Sequence, residues 1–183
     1  MKDLQYDIYI GGHASGTGQK RSILDYVFHP RYDFENYKAY DFLILKLNRP
    51  IDDNPQLIKL NSNPHYPETG STESFKVIGF GHTREDGRNA DALQEVSVPH
   101  IPDCSPFYKN VDERIAFCSG YKQGGQDSCQ SDSGGPLFDP TTQVQVGMVS
   151  WGRGCARKNA PGTYYFLGRA THYLVVENHS RLI

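Results

Sequence analysis

The stretch Asp127-Ser128-Cys129-Gln130-Ser131-Asp132-Ser133-Gly134-Gly135-Pro136-Leu137 gathers side chains able to carry out nucleophilic chemistry. A serine followed by two glycines and a proline suits neither a helix nor a central strand, because glycine loses backbone entropy there and proline lacks a donor. The stretch therefore reads as a tight, exposed loop. Such a loop presents the Ser133 hydroxyl to a substrate while nearby backbone N–H groups face the same spot, as acyl transfer requires. Taken singly the parts are ordinary. Ser-Gly-Gly is a common linker, and a lone aspartate is usually a solvated turn residue.

Taken together, these residues resemble the nucleophile segment of chymotrypsin/trypsin-like serine endopeptidases, with one departure, where Ser131 replaces a glycine. The resemblance implies Ser133 as nucleophile and the N–H groups of Ser131 and Ser133 as an oxyanion hole. It implies Asp127 as the floor of a specificity pocket, where a carboxylate left unpaired out of water is costly and so selects Arg or Lys side chains. Asp41 heads the apolar run 40–47. An acid at a strand start is by itself a turn or cap residue. This run, however, is similar to the family's Asp-Ile-Ala-Leu-Leu-Lys-Leu, and the resemblance makes Asp41 the carboxylate that orients a catalytic imidazole. By the same resemblance Ser150, Trp151 and Gly152 form an edge that pairs with substrate backbone. Gly152 and Gly162 match the pocket walls, where a Cβ would block a long side chain. Outside that context, a strand glycine marks a bulge or a packing contact.

The elements that must position these groups read as strands. Alternation or apolar runs place them at 6–10, 22–28, 40–47, 74–81, 93–99, 115–121, 144–152 and 163–167, with a small-residue loop at 14–19. Residues 52–70, with three prolines, read as irregular crossing chain, and 102–110 as a short helix or turn. Thr171 can cap a final helix through Ile183. The resemblance implies an all-β fold, a double six-stranded antiparallel barrel with the first barrel incomplete and a C-terminal helix. The expected division is residues 1–83 for the partial first barrel carrying Asp41. Residues 84–183 form the second barrel with the nucleophile, pocket and helix, and the polar stretch 84–91 is the loop between them.

The 183 residues suffice for one domain or two small sub-domains. Net charge is −2, with no basic patch suited to nucleic acid, and no apolar run approaches the roughly 18 residues of a membrane span. The four cysteines, Cys104, Cys118, Cys129 and Cys155, are open to three readings: buried thiols, zinc ligands or two disulfides. The absence of close C-x2-C pairs favours disulfides and an oxidising compartment. The resemblance pairs Cys104 with Cys118 and Cys129 with Cys155. Residues 11–21 hold no acidic side chain, so no calcium is expected there, and no other metal or cofactor is expected. The implied partners are protein or peptide substrates with Arg or Lys before the scissile bond, and protein inhibitors. Asn178-His179-Ser180 is a glycosylation sequon, compatible with secretion.

A serine hydroxyl needs a base within hydrogen-bond reach. In the family that histidine lies in an Ala-Ala-His-Cys segment, accompanied by an Ile-Val-Gly-Gly activation terminus; neither occurs here. His13, His29, His65, His82, His100, His172 and His179 all stand in other contexts, and His29 reads as a turn residue before Pro30. The first residues also lack a secretory leader. One reading accounts for all three absences: a trypsin-like endopeptidase whose N-terminal segment is not in this polypeptide. In that setting Asp132, which in the family pairs with the activation terminus, is expected to rest in a zymogen-like arrangement. Two further readings are a pseudoprotease that keeps the groove as a secreted protein-binding module, and a structural disulfide module that explains none of the pocket residues.

Overall fold

The computed structural model describes residues 6–35, 40–52, 56–68 and 72–169. Two sheets account for the described strands. The first is antiparallel and has the order β1-β2-β3, built from β1 (Asp7–Gly11), β2 (Gly18–Phe28) and β3 (Leu43–Leu47). β2 starts earlier than its apolar pattern suggests because Gly18 and Gln19 pair with Gly11 and Ile10 across a short hairpin.

The second sheet closes on itself. β5 (Ser74–Gly79), β6 (Gln94–Ile101), β7 (Ala116–Ser119), β8 (Pro136–Asp139), β9 (Val144–Trp151) and β10 (Gly162–Phe166) form a ring in the order β10-β7-β6-β5-β8-β9. β10 pairs with both β7 and β9, so all six strands join in one antiparallel barrel with no free edge. A two-residue strand, β4 (Lys59–Leu60), lies parallel to β9 outside the ring. Period-two alternation supplies the interior: Phe75 and Val77 point inward from β5 while Lys76 does not. They meet Val98, Phe117, Leu137, Val146, Tyr164 and Phe166. Each such side chain contributes about 1.5–3 kcal/mol on burial. The ring of Phe117 packs 4.6 Å from Phe166.

Several expectations need correction. The second barrel starts at Ser74 rather than at residue 84, because β5 supplies Phe75 and Val77 to its core and pairs with β6 and β8. The stretch 84–91 therefore belongs to the loop between β5 and β6, inside one barrel, and does not separate two. β8 follows the Ser133 loop and escaped notice because it is short and opens on a proline. β4 lies in what read as crossing chain. Residues 102–110, read as a short helix or turn, take the second form, with Phe107 and Tyr108 N–H groups donating to the Cys104 carbonyl. Helical geometry begins at residues 167–169, before Thr171. The helix expected from Thr171 to Ile183 and the sequon at Asn178 lie outside the described residues.

The three-stranded sheet leaves Leu24 and Leu43 on the surface, as an incomplete barrel would. It joins the closed barrel through Phe42, which is buried with its ring 5.3 Å from that of Tyr165. Backbone bonds from Ser15 N–H to the Asp91 carbonyl and from Leu93 N–H to the His13 carbonyl make a second seam. The two disulfides, Cys104–Cys118 and Cys129–Cys155, are both present. On the chain-entropy view, closing loops of these lengths contributes about 3–3.5 kcal/mol each.

Candidate active site

The loop that carries Ser133 is shaped by a turn across Cys129–Asp132, closed by the Asp132 N–H donating to the Cys129 carbonyl at 3.0 Å. Ser131 takes the third place of that turn with φ +71°, a value that a type II turn requires there and that glycine ordinarily supplies. Gln130 O accepts from His82 N–H, and Gly134 N–H donates to the Val149 carbonyl, while Val149 N–H donates to the Gly135 carbonyl. The loop is thus slung between the β5–β6 connection and β9, and Ser133 is left exposed at its crest. Among the described residues, the N–H groups of Ser131 and Ser133 have no acceptor, so both remain free to donate.

Asp132 turns away from the crest. Its carboxylate accepts from the N–H groups of Gly81 (2.9 Å) and Cys129 (3.0 Å). A Cβ at Gly79 or Gly81 would overlap that carboxylate, so the Gly-Phe-Gly alternation leaves one strand face bare to admit it.

Six of the residues singled out in the sequence line one cleft of about 260 Å³: Asp127, Ser133, Ser150, Trp151, Gly152 and Gly162. The Cys129–Cys155 disulfide forms part of the same wall. Asp127 is partly buried; its Oδ1 accepts from Ser128 N–H (2.9 Å) and its Oδ2 from Ala156 N–H (3.1 Å). Burial pushes its pKa up to about 6. The two N–H groups pull the other way, and the nearby Asp132 charge adds to the rise. Among the described residues no cation pairs with it. A Cβ at Gly162 would lie 2.8 Å from Asp127 Oδ1 and 3.0 Å from the Tyr164 hydroxyl, whereas one at Gly152 would meet nothing closer than 3.8 Å. Gly162 is thus required by the carboxylate itself, while Gly152 borders open space. The Tyr164 hydroxyl, buried behind the lining of the cleft, lies 3.3 Å from Ser128 Oγ. The Ser128 and Ala156 N–H groups and the Tyr164 hydroxyl escaped the sequence reading. Only Ser128 and Ala156 carried any signal, each standing beside a residue already singled out, Asp127 and Cys155.

Asp41 and Ser131 stand outside the lining of the cleft. Phe42 holds Asp41 beside the barrel, where desolvation raises the Asp41 carboxyl. The link to the cleft is Tyr165. Its hydroxyl is buried beside the Ser150 side chain. Desolvation raises its pKa first, proximity to Ser150 lowers it, and the Asp41 charge raises it further. None of the described histidines lines the cleft. His29 is buried against Tyr40 and its Nδ1 accepts from Arg31 N–H, and His100 packs between Phe75 and Phe117. A cavity of similar volume, about 240 Å³, lined by His65, His100, Glu113 and Arg169 among others, shares no residue with the cleft and holds no serine.

A family profile described as Trypsin matches residues 2–171. The chain belongs to the trypsin family. It is 34% identical over 158 residues to a trypsin of Saccharopolyspora erythraea, covering 85% of this chain and 66% of that protein. It is 37% identical over 169 residues to Trypsin 5G1 of Aedes aegypti, covering 88% and 61%. A trypsin-like protease of Streptomyces glaucescens is 40% identical over 131 residues, covering 68% and 47%. The chain thus spans less than two thirds of the length of these trypsin-family relatives. The closed barrel, the partial three-stranded sheet and the two disulfides fit the family's double-barrel architecture.

Proposed function

We propose that this polypeptide is the greater part of a trypsin-like serine endopeptidase that hydrolyses protein or peptide substrates after Arg or Lys. In this reading Ser133 Oγ attacks the scissile carbonyl, and the Ser131 and Ser133 N–H groups receive the oxyanion. Asp41 steadies an imidazole contributed from outside this chain. The guanidinium or ammonium of the substrate enters the cleft and pairs with Asp127, while the edge at Ser150, Trp151 and Gly152 takes the substrate backbone. The observation that carries the reading is an unpaired, partly buried carboxylate in the cleft that Ser133 lines. The two disulfides fit an extracellular or secretory setting. Among the described residues no helix is long and apolar enough to cross a membrane.

With no histidine lining the cleft among the described residues, hydrolysis by the chain alone is expected to fall by about six orders of magnitude, the loss that follows removal of a catalytic histidine. Titration with a guanidinium-bearing aryl ester checks this. No burst of acylation is expected, and one equivalent of burst would overturn it. Binding of benzamidine, a flat amidinium cation, tests the pocket separately, and failure to bind would remove the Arg/Lys reading. A second reading, a secreted binding module that keeps the groove without turnover, is favoured by Ser131, whose side chain sits in a backbone conformation suited to glycine. Under that reading Ser131→Gly, in a protein supplied with the histidine segment, leaves hydrolysis absent.

A further inference from the structure

The Cys155–Arg157 wall of the cleft is held from an unexpected direction. Glu85 comes from the β5–β6 connection, yet its carboxylate grips Arg157, 72 residues away in sequence. Arg157 Nε donates to Glu85 Oε2 at 2.7 Å, and its Nη2 donates to Oε1, the two parallel bonds of a guanidinium–carboxylate fork. Glu85 Oε2 also accepts from the Cys155 N–H at 3.3 Å. A Cβ at Gly154 would fall 2.6 Å from Oε2, so the wall is built around this carboxylate.

Between the two residues that Glu85 holds lies Ala156. Its N–H donates to Asp127 Oδ2, and its carbonyl accepts from Gly125 N–H at 2.9 Å. Ala156 has φ +54°, a left-handed conformation that an alanine leaves readily when its neighbours are released. The Cys129–Cys155 bridge tethers one end of the segment, but a tether at Cys155 does not fix the rotation of the next peptide. We propose that Glu85 is a positioning and specificity-determining residue: through Arg157 and the Cys155 N–H it keeps the Ala156 N–H on Asp127 and so shapes the cleft for a cationic side chain. The inference rests on the reading of the cleft as a cation pocket. An isolated surface ion pair would have little influence. This one differs because it is forked, shares its acceptor with a backbone donor and brackets a strained peptide.

Benzamidine affinity, measured by calorimetry on the whole chain, tests it. Glu85→Ala and Arg157→Ala should each weaken binding about fivefold. The double variant should be no weaker than Glu85→Ala alone, because both remove the same contact. Glu85→Gln keeps an acceptor for the Cys155 N–H and should fall between wild type and Glu85→Ala, which serves if the alanine variant folds poorly. Hydrogen exchange at the Ala156 amide should speed up in Glu85→Ala. Affinities within twofold of wild type for both single alanine variants, with binding lost in Asp127→Asn, would overturn the clamp and leave the pocket standing. No binding by wild type, or unchanged binding by Asp127→Asn, would remove the pocket and the clamp with it.

Discussion

Lowering the pH from 8 to 5 should weaken benzamidine binding about tenfold, and the structure supplies the size of the effect. Burial disfavours the charge of Asp127 and pushes its pKa up to about 6. An amidinium needs the carboxylate, so a protonated site must lose its proton before the ligand binds. At pH 5 about one site in eleven is ionised, and at pH 6 about half, so the apparent Kd rises about elevenfold and twofold over its pH 8 value. Calorimetry in buffers of different ionisation heat reads the same quantity as protons released per ligand: about 0.9 at pH 5, 0.5 at pH 6 and almost none at pH 8. Constant affinity between pH 5 and 8, or the same profile in Asp127→Asn, would refute the reasoning. Stability has a matching sign. The folded pKa lies above the unfolded value of about 3.9, so the native state binds more protons between about pH 4 and 6. Asp127 therefore favours the folded state at low pH, and that contribution, about 3 kcal/mol, is lost as pH rises through about 6. Urea midpoints for wild type and Asp127→Asn across that window would reveal it.

Other consequences concern the walls and the loop. Gly162→Ala places a methyl against Asp127 and should weaken benzamidine at least tenfold, whereas Gly152→Ala, facing open space, should allow this small ligand and exclude a longer arginine peptide; calorimetry with both ligands separates the two. Ser131→Gly removes a left-handed serine that costs about 1–2 kcal/mol, offset by about 0.4–1 kcal/mol of unfolded-chain freedom. A net gain between zero and about 1.6 kcal/mol in chemical denaturation is expected, and a clear loss would show that the serine side chain has a use in this turn. Leu137→Ala, fully buried on β8 directly after the nucleophile loop, should cost about 3–5 kcal/mol and weaken benzamidine as well, because the floor of β8 supports Gly135 and Ser133.

Much of the barrel was legible because its signals are local. Alternation in 74–79 and 94–99, and the apolar run at 144–151, reflect a period of two that any half-buried strand must show. β8 was not legible, since four residues beginning with proline carry almost no periodicity and pair only because Leu137 completes a core assembled from distant strands. The same limit misplaced the boundary. The strand at 74–81 fell within the expected first division, residues 1–83, but hydrogen bonds to β6 and β8 assign it to the closed barrel.

The amino-acid sequence alone determined that an exposed serine loop, an acid ahead of it, two glycines and four cysteines occur in the order a trypsin-family chain uses. These are matters of residue type and spacing along one backbone. Only the tertiary structure decided that Asp127 meets the Ala156 N–H and the edge of Gly162, that Asp132 lies on the bare face of Gly79 and Gly81, and that Glu85 reaches Arg157. Those approaches exist because ring closure through β10 brings β7 and β9 to its two sides, and closure depends on pairing between segments that carry no record of one another in their local pattern.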